Sequence, residues 1–506
     1  MRRSVAIALT LLGMSSALIP VLWARPAGAV PAFARRYGVA CSTCHTSWPA
    51  LNATGYAFKL SGYRRLLGNP IQPTTADIEL AMGALSIPSI PPVALVAYTG
   101  FDLQSINRRA GDGTTANQTG SSLDLDSVSL FLATPLGEHL SGFFEFPLFE
   151  TKVPNQDFPN GPSGASATGV SSKRDIQFET EVPGFELGKV MWNSLLPTTL
   201  APPDSLNIKI GADQLPTGFS PEPNRLSVRS YLIYRRRALD LLSPIQTDDL
   251  LPNNEGDRLL RLGEPQIQVA LNGILVPFGA STDLGNPEAL SLDYEVGITN
   301  GSNVNADPNT EKDFFGHVGI RWWGQRLGFF GYYSPDIYDD NQRDTAAISN
   351  GGIMSGRQLA NRTYSFGPDL TLSLEPVDIP IWLETQVLFN RESDPTGFKK
   401  AFSWWGGFTQ LNGKLPVNAK FLQWIIGYAR YDWLQGDQFN DAAVGGVTGP
   451  VKPREWQVVG GLQWYILQNL KIITEYSRRQ FTNNESAPQH QRVTDNFFTV
   501  RAAIGF

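Results

Sequence analysis

Cysteine is nearly missing from this chain. Its 506 residues contain two, Cys41 and Cys44, three positions apart. A disulfide framework is therefore excluded, and a bridge closing so short a loop would add little stability. Long apolar runs are missing too. After Leu22 no stretch reaches the roughly 18 residues that a membrane helix needs, so the chain is not a helical membrane protein. Charge is sparse at 17%, there is no basic run, and the formal net charge is −6, which leaves no case for nucleic-acid binding.

What is present points to export and to strands. Arg2 and Arg3 precede an apolar run from Val5 to Leu22, and Ala27-Gly28-Ala29 supplies small residues for cleavage. Residues 1–29 read as a signal peptide, with a retained membrane anchor as the alternative. Losing Arg2, Arg3 and Arg25 with the signal takes the charge from −6 to −9. Aromatics at 11% and 48 glycines suit many twisted strands with aromatic girdles.

Three regions follow: 1–29, the signal; 30–92, which holds the cysteine pair and ends in a proline-rich stretch; and 93–506, a long series of alternating segments. In the last of these, Phe498, Val500, Ala502, Ile504 and Phe506 share one face, opposite Phe497, Thr499, Arg501, Ala503 and Gly505. Trp456, Val458, Leu462, Trp464 and Ile466 likewise oppose Glu455, Gln457, Val459, Gln463 and Tyr465. Period-2 alternation puts one face in an apolar medium and the other against polar groups. Working back from Phe506, long linkers (481–495, 435–454, 391–400, 335–362) alternate with short ones (468–469, 412–416, 375–380, 323–326). Outer-membrane barrels sort their loops this way, and β-sandwiches do not. The expected fold is all-β: a transmembrane antiparallel β-barrel of about 16 strands, with a small N-terminal haem-binding α segment. A doubtful seventeenth strand covers Arg229–Arg237, and 215–262 is weakly patterned. The expected location is the bacterial outer membrane.

Cys41-Ser42-Thr43-Cys44-His45 is a C-x-x-C-H sequence, the attachment pattern of c-type haem. Two thiols add to the vinyl groups of one covalently attached haem, and the adjacent histidine becomes the proximal iron ligand. A thioredoxin-like pair would need a βαβ context, zinc would need a fourth ligand, and a disulfide would leave His45 without a role. Trp48, Leu51, Gly55, Phe58 and Gly62 recur at helical spacing, with Thr46 or Ser47 as a cap and Pro49 in the first turn. That face reads as a haem pocket or as an ordinary stripe against a barrel wall. The distal position stays open between Met82, a barrel histidine (His139, His317 or His490), and no side chain. Met82 is the nearest candidate in sequence.

On Pro31, Phe33-Ala34-Arg35, Cys41, Cys44-His45, Pro49, Leu51, Gly55, Phe58 and Gly62-Tyr63, the chain resembles the fused monohaem cytochrome c–porin iron oxidases of the outer membrane. The resemblance is specific over about 31–63 and architectural over the barrel. It implies oxidation of extracellular Fe(II), with electrons passed to a periplasmic cytochrome. Two rivals share the motif: a conduit working with a multihaem surface partner, and a solute porin whose haem is structural or sensory. An open lumen would favour the porin, and a lumen filled by residues 30–90 would count against it. Asp336, Asp339, Asp340, Asp344, Asp437 and Asp441 fall in outer loops, either as simple solvated surface or as a mouth that concentrates cations.

Overall fold

The computed structural model describes residues 32–66, 69–71, 73–74, 77–80, 85–89, 92–109, 115–152, 179–181, 187–219, 226–242, 262–277, 286, 288–301, 311–335, 337–339, 358–395, 400–419, 421–439, 450–482 and 492–505. The signal-peptide reading, Met82, Met354 and His490 lie outside them, as do Asp336, Asp340, Asp344 and Asp441.

Among the described residues, sixteen antiparallel strands close into one barrel. They are β1 (Val93–Arg109), β2 (Thr115–Pro135), β3 (Leu140–Lys152), β4 (Leu187–Trp192, with an outer piece at Glu179–Glu181), β5 (Asn207–Asp213), β6 (Gln266–Leu275), β7 (Ser291–Thr299) and β8 (Asp313–Trp322). Then come β9 (Gln325–Ser334), β10 (Thr363–Ser373), β11 (Ile381–Glu392), β12 (Phe402–Ala419), β13 (Leu422–Gly436), β14 (Arg454–Leu467), β15 (Leu470–Thr482) and β16 (Arg492–Gly505). Each strand pairs with the next, and β16 returns to β1 in register from Arg492–Arg109 to Gly505–Val96. Closure leaves no sheet edge, the condition for a sheet to cross lipid.

The strands are inside-out by the standard of a water-soluble protein. On β8, Phe314, Val318, Ile320 and Trp322 are exposed, while Asp313 and His317 are buried. On β14 and β15, Glu455, Gln457, Gln463, Lys471, Glu475 and Arg479 are buried, and Val458, Leu462 and Tyr476 are exposed. An apolar outer face and a polar inner face require hydrocarbon outside, so this is an outer-membrane barrel. The turns 136–139, 323–324, 374–380 and 468–469 and the short link from Ala419 to Leu422 mark the short-loop end, which is periplasmic, and the strand ends at Ser334, Thr363, Gly436 and Arg454 lie at the opposite end. Two links between strand ends on the periplasmic side, from Trp192 to Asn207 and from Leu275 to Ser291, are longer than the rule.

The structure corrects two expectations. Asn412–Pro416 is not a turn. These residues continue β12, paired from Asn412–Tyr428 to Pro416–Trp424, and the strand runs on to Ala419, which pairs with Leu422. Asn412 stays in the strand because its side chain faces inward and accepts from Gln410 Nε2 at 2.7 Å. Arg229–Arg237 is not a strand either. It contains a helical turn, α4 (Leu232–Arg235), followed by α5 (Ala238–Leu242). Its alternating pattern finds no strand partner. Instead the backbone N–H groups of Val228 and Arg229 donate to the Glu475 carboxylate at 2.7 and 2.9 Å.

Two segments therefore occupy the barrel interior. Residues 226–242 are tied to inward-facing side chains by Arg229–Asp495 (2.9 Å), Arg236–Glu455 (2.9 Å) and Arg430, which bonds Ser227 Oγ and the carbonyls of Arg229 and Ser230. The N-terminal segment enters from the periplasmic end, since β1 begins there. It comprises α1 (Ala32–Tyr37), α2 (Cys41–Cys44), a small hairpin at 45–51, α3 (Ala53–Leu60) and an outer hairpin (Asp77–Leu80 with Leu85–Pro88).

Candidate functional site

Cys41 and Cys44 occupy the single turn α2, and His45 follows it at the start of the small hairpin. The hairpin turns through Trp48-Pro49, with Ser47 paired to Ala50. This turn aims the Pro49 carbonyl at the histidine: His45 Nδ1 lies 3.1 Å from Pro49 O. A carbonyl only accepts, so Nδ1 is the donor and Nε2 keeps its lone pair. Metal-ligating histidines are commonly fixed in this way, the second nitrogen giving its proton to a backbone carbonyl. Burial lowers the His45 pKa to about 4, so the ring is neutral at neutral pH. Burial also raises both thiols, Cys44 to about 11.

The expected helix is shorter than its stripe. Trp48 and Leu51 precede α3, and the cap is Asn52 rather than Thr46 or Ser47. The reason is that residues 45–51 are used for the hairpin. Asn52 Oδ1 accepts from Gly55 N at 2.8 Å, its Nδ2 donates to the carbonyls of Ser42 and Thr43 at 3.3 and 3.2 Å, and its N–H donates to Cys44 O at 3.0 Å. One residue thus caps α3 and closes the end of α2. Gly55 lets these helices touch: a Cβ there would stand 2.0 Å from Cys44 O.

These pieces border a cavity of about 440 Å³ in the periplasmic half of the lumen. Cys41, Cys44, His45, Trp48, Leu51 and Gly55 line one side, and barrel residues including Tyr98, Phe143 and Lys189 line the other. Phe33, Phe58 and Tyr63 form an aromatic wall, with Phe33 and Tyr63 stacked at 4.7 Å. The volume falls in the range of cofactor sites, which is roughly 300–1,000 Å³. Adjacent thiols, a neutral imidazole with a free lone pair and an apolar wall fit a covalently attached haem.

The barrel holds the motif through one hairpin, β14–β15. Gln468 Oε1 accepts from Cys41 N at 3.2 Å. Ser47 Oγ donates to Gln463 Oε1 at 2.9 Å and lies 2.6 Å from Tyr465 Oη. Tyr465 Oη and Lys471 Nζ both donate to Trp48 O. At the rim, Arg64 and Arg65 pair with Asp204 at 2.9 and 3.0 Å. None of these barrel contacts has a local sequence signal, whereas Asn52 carries one, an asparagine just before a helical run.

Among the described residues, no second histidine or methionine lines the cavity. His317 Nε2 is 2.9 Å from Asp369 and 3.1 Å from Arg326 on the barrel wall. His139 Nδ1 is 3.2 Å from the Asn193 carbonyl at a periplasmic turn, and Met191 accepts from Asn272. None of the three is positioned as a distal ligand.

Neither a protein-family model nor a curated protein matches the chain. Among solved structures it is similar to OprB of Pseudomonas putida, at 9% identity over 81% of this chain and 94% of that one, with a TM-score of 0.46. It is similar to an anion-selective porin from Comamonas acidovorans, at 10% identity over 82% and 99%, with a TM-score of 0.44. It is also similar to the outer membrane channel DcaP of Acinetobacter baumannii, at 10% identity over 85% and 100%, with a TM-score of 0.44. Likeness at this level carries no argument about what the barrel transports or binds.

Proposed function

We propose that this protein is an outer-membrane electron-transfer protein. In this reading Cys41 and Cys44 hold one c-type haem, His45 ligates its iron, extracellular Fe(II) is the donor, and a periplasmic electron-transfer protein is the acceptor. The observation that supports it is His45 itself, half-buried beside two thiols, with Nδ1 fixed by Pro49 O and the Nε2 lone pair left free. The bound group would supply one-electron ferric–ferrous chemistry. The chain's part is to exclude water with Phe33, Phe58, Tyr63 and Phe143, to keep the His45 tautomer fixed, and to hold the motif still against β14–β15. The cavity lies nearer the periplasmic end, which suits delivery to a periplasmic acceptor.

The competing reading is a solute porin with a structural or sensory haem. It needs a water path, and residues 32–66 and 226–242 stand in the lumen against it. The deciding experiment is the absorbance spectrum of the purified protein before and after Fe(II), at acid and neutral pH. Reduction of a covalently held haem by Fe(II) is expected. A protein without haem absorbance would overturn the reading, and a haem that Fe(II) leaves oxidised would remove iron as donor. Large steady conductance in a planar bilayer would favour the porin.

A further inference from the structure

The cavity carries more positive charge than its own carboxylates balance. Lys59, Lys189, Lys471 and Arg501 line it, against Asp213 and Glu145. Most of these groups are engaged. Lys189 Nζ bonds Asp213 at 2.7 Å, Lys209 bonds the same oxygen at 2.7 Å and Glu295 at 2.5 Å, and Arg501 pairs with Asp102 and Asp126 at 3.0 and 3.1 Å. Lys471 donates to Trp48 O and to Gln463 Oε1. Glu145 also has a partner. Lys59 differs: among the described residues its ammonium forms neither an ion pair nor a hydrogen bond, yet the residue is only partly exposed and lines the cavity.

Its place on α3 gives that ammonium a direction. Gly55 touches Cys44, and Lys59 follows four residues later on the same helix face, roughly 6 Å farther along the axis. Lys189 on β4 and Asp213 on β5 stand near it, and Tyr63 follows the helix. The thiols therefore mark one end of the cavity and the unpaired lysine the other. In a haem the vinyl groups, which the thiols take, and the propionates sit on opposite halves of the macrocycle. A cofactor attached at Cys41 and Cys44 extends its carboxylates away from α2.

We infer that Lys59, with Lys189 behind it, forms a carboxylate-binding subsite that pairs with a haem propionate. This rests on the proposed haem. Of the three lysines around Asp213 and Glu295, Lys59 is the one whose ammonium has no ion pair among the described residues, and a propionate would give it one. A charge-assisted pair inside the lumen, where water is partly excluded, keeps the propionate ionised and fixes the orientation of the ring. Lys59 is a positioning residue here, since it acts on the periphery of the macrocycle and not on the iron.

The test uses the full-length holoprotein with Lys59→Met and Lys59→Arg. Each protein is checked for covalent haem by staining after denaturing electrophoresis, and its midpoint potential is measured from about pH 5 to pH 8. Wild type and Lys59→Arg should give a nearly flat curve, because the propionate stays ionised. In Lys59→Met the propionate loses its cation, its pKa rises, and the potential should climb as pH falls. Haem retained with superimposable curves in all three overturns the inference and leaves the proposed function standing. Absence of covalent haem from wild type overturns both. Should Lys59→Met not assemble, the infrared difference spectrum of wild type on reduction decides. Ionised carboxylate bands support the subsite, and a protonated propionate carbonyl at neutral pH overturns it.

Discussion

Arg430 ties the inner segment 226–242 to the barrel wall. It is fully buried on β13, with Nε 2.7 Å from Asp432 and its terminal nitrogens on Ser227 Oγ and the carbonyls of Arg229 and Ser230. Its guanidinium also lies 4.5 Å from the centre of the Tyr231 ring. Arg430→Met removes these bonds and leaves Asp432 buried without its cation. Breaking such a pair costs about 3–5 kcal/mol. Asp432 keeps Gln457 Nε2 at 3.2 Å and Leu232 N at 3.3 Å, so the lower end of that range is the better guide. At about 1.4 kcal/mol per tenfold, the population in which 226–242 is released should rise by a hundredfold or more. The assay is single-channel recording in a planar bilayer. Wild type should be nearly silent, and Arg430→Met should show brief openings. Arg430→Lys keeps the charge but loses the planar fork, and should fall between them. A folded Arg430→Met barrel, verified by its heat-dependent shift on gels, that stays as silent as wild type would refute the argument.

Three further outcomes follow from the site. Cys41→Ala with Cys44→Ala should abolish the haem stain while the barrel still assembles, because the strand pairing from β1 to β16 does not use that segment; a surviving stain would contradict the attachment. Lys471→Met should loosen the Trp48–Pro49 turn by about 1.5–3 kcal/mol, the worth of a hydrogen bond to a charged group, read as faster limited proteolysis of the N-terminal segment and a shifted haem absorbance. Equal protease rates would mean that Gln463, Tyr465 and Gln468 suffice. Changing Asp336, Asp339, Asp340 and Asp344 to Asn should slow Fe(II) oxidation at low salt, with the deficit shrinking as salt rises; an unchanged low-salt rate would leave those carboxylates as solvated surface.

The barrel was readable because strand alternation is a local property. Each of Trp456, Val458, Leu462 and Trp464 carries its own vote for the lipid face, and the votes agree along the chain. Reading failed where a residue's role depends on distant partners. Asn412-Gly413 looks like a turn in isolation, yet Tyr428 and Gly427 supply ladder partners that keep it extended. Arg229–Arg237 alternates like a strand, but Glu475, Asp495 and Asp432 capture its polar groups first. At the site, Cys41, Cys44 and His45 were legible because attachment chemistry demands that spacing. Gln463, Tyr465, Gln468 and Lys471 were not, since they reach the motif across more than 400 positions of chain.

Enclosure of the cysteine pair has a consequence for biogenesis. Cys41 and Cys44 face a cavity of about 440 Å³, walled by strands from both ends of the sequence, with the last strand hydrogen-bonded to the first. A macromolecular ligase is far larger than that space and cannot enter it. For a chain that carries haem there, the thioether bonds must form in the periplasm before residues 32–66 seat in the lumen. The strand pairing does not use that segment, so closure of the barrel sets no deadline of its own. A segment that seats empty would have to leave the lumen again to be loaded.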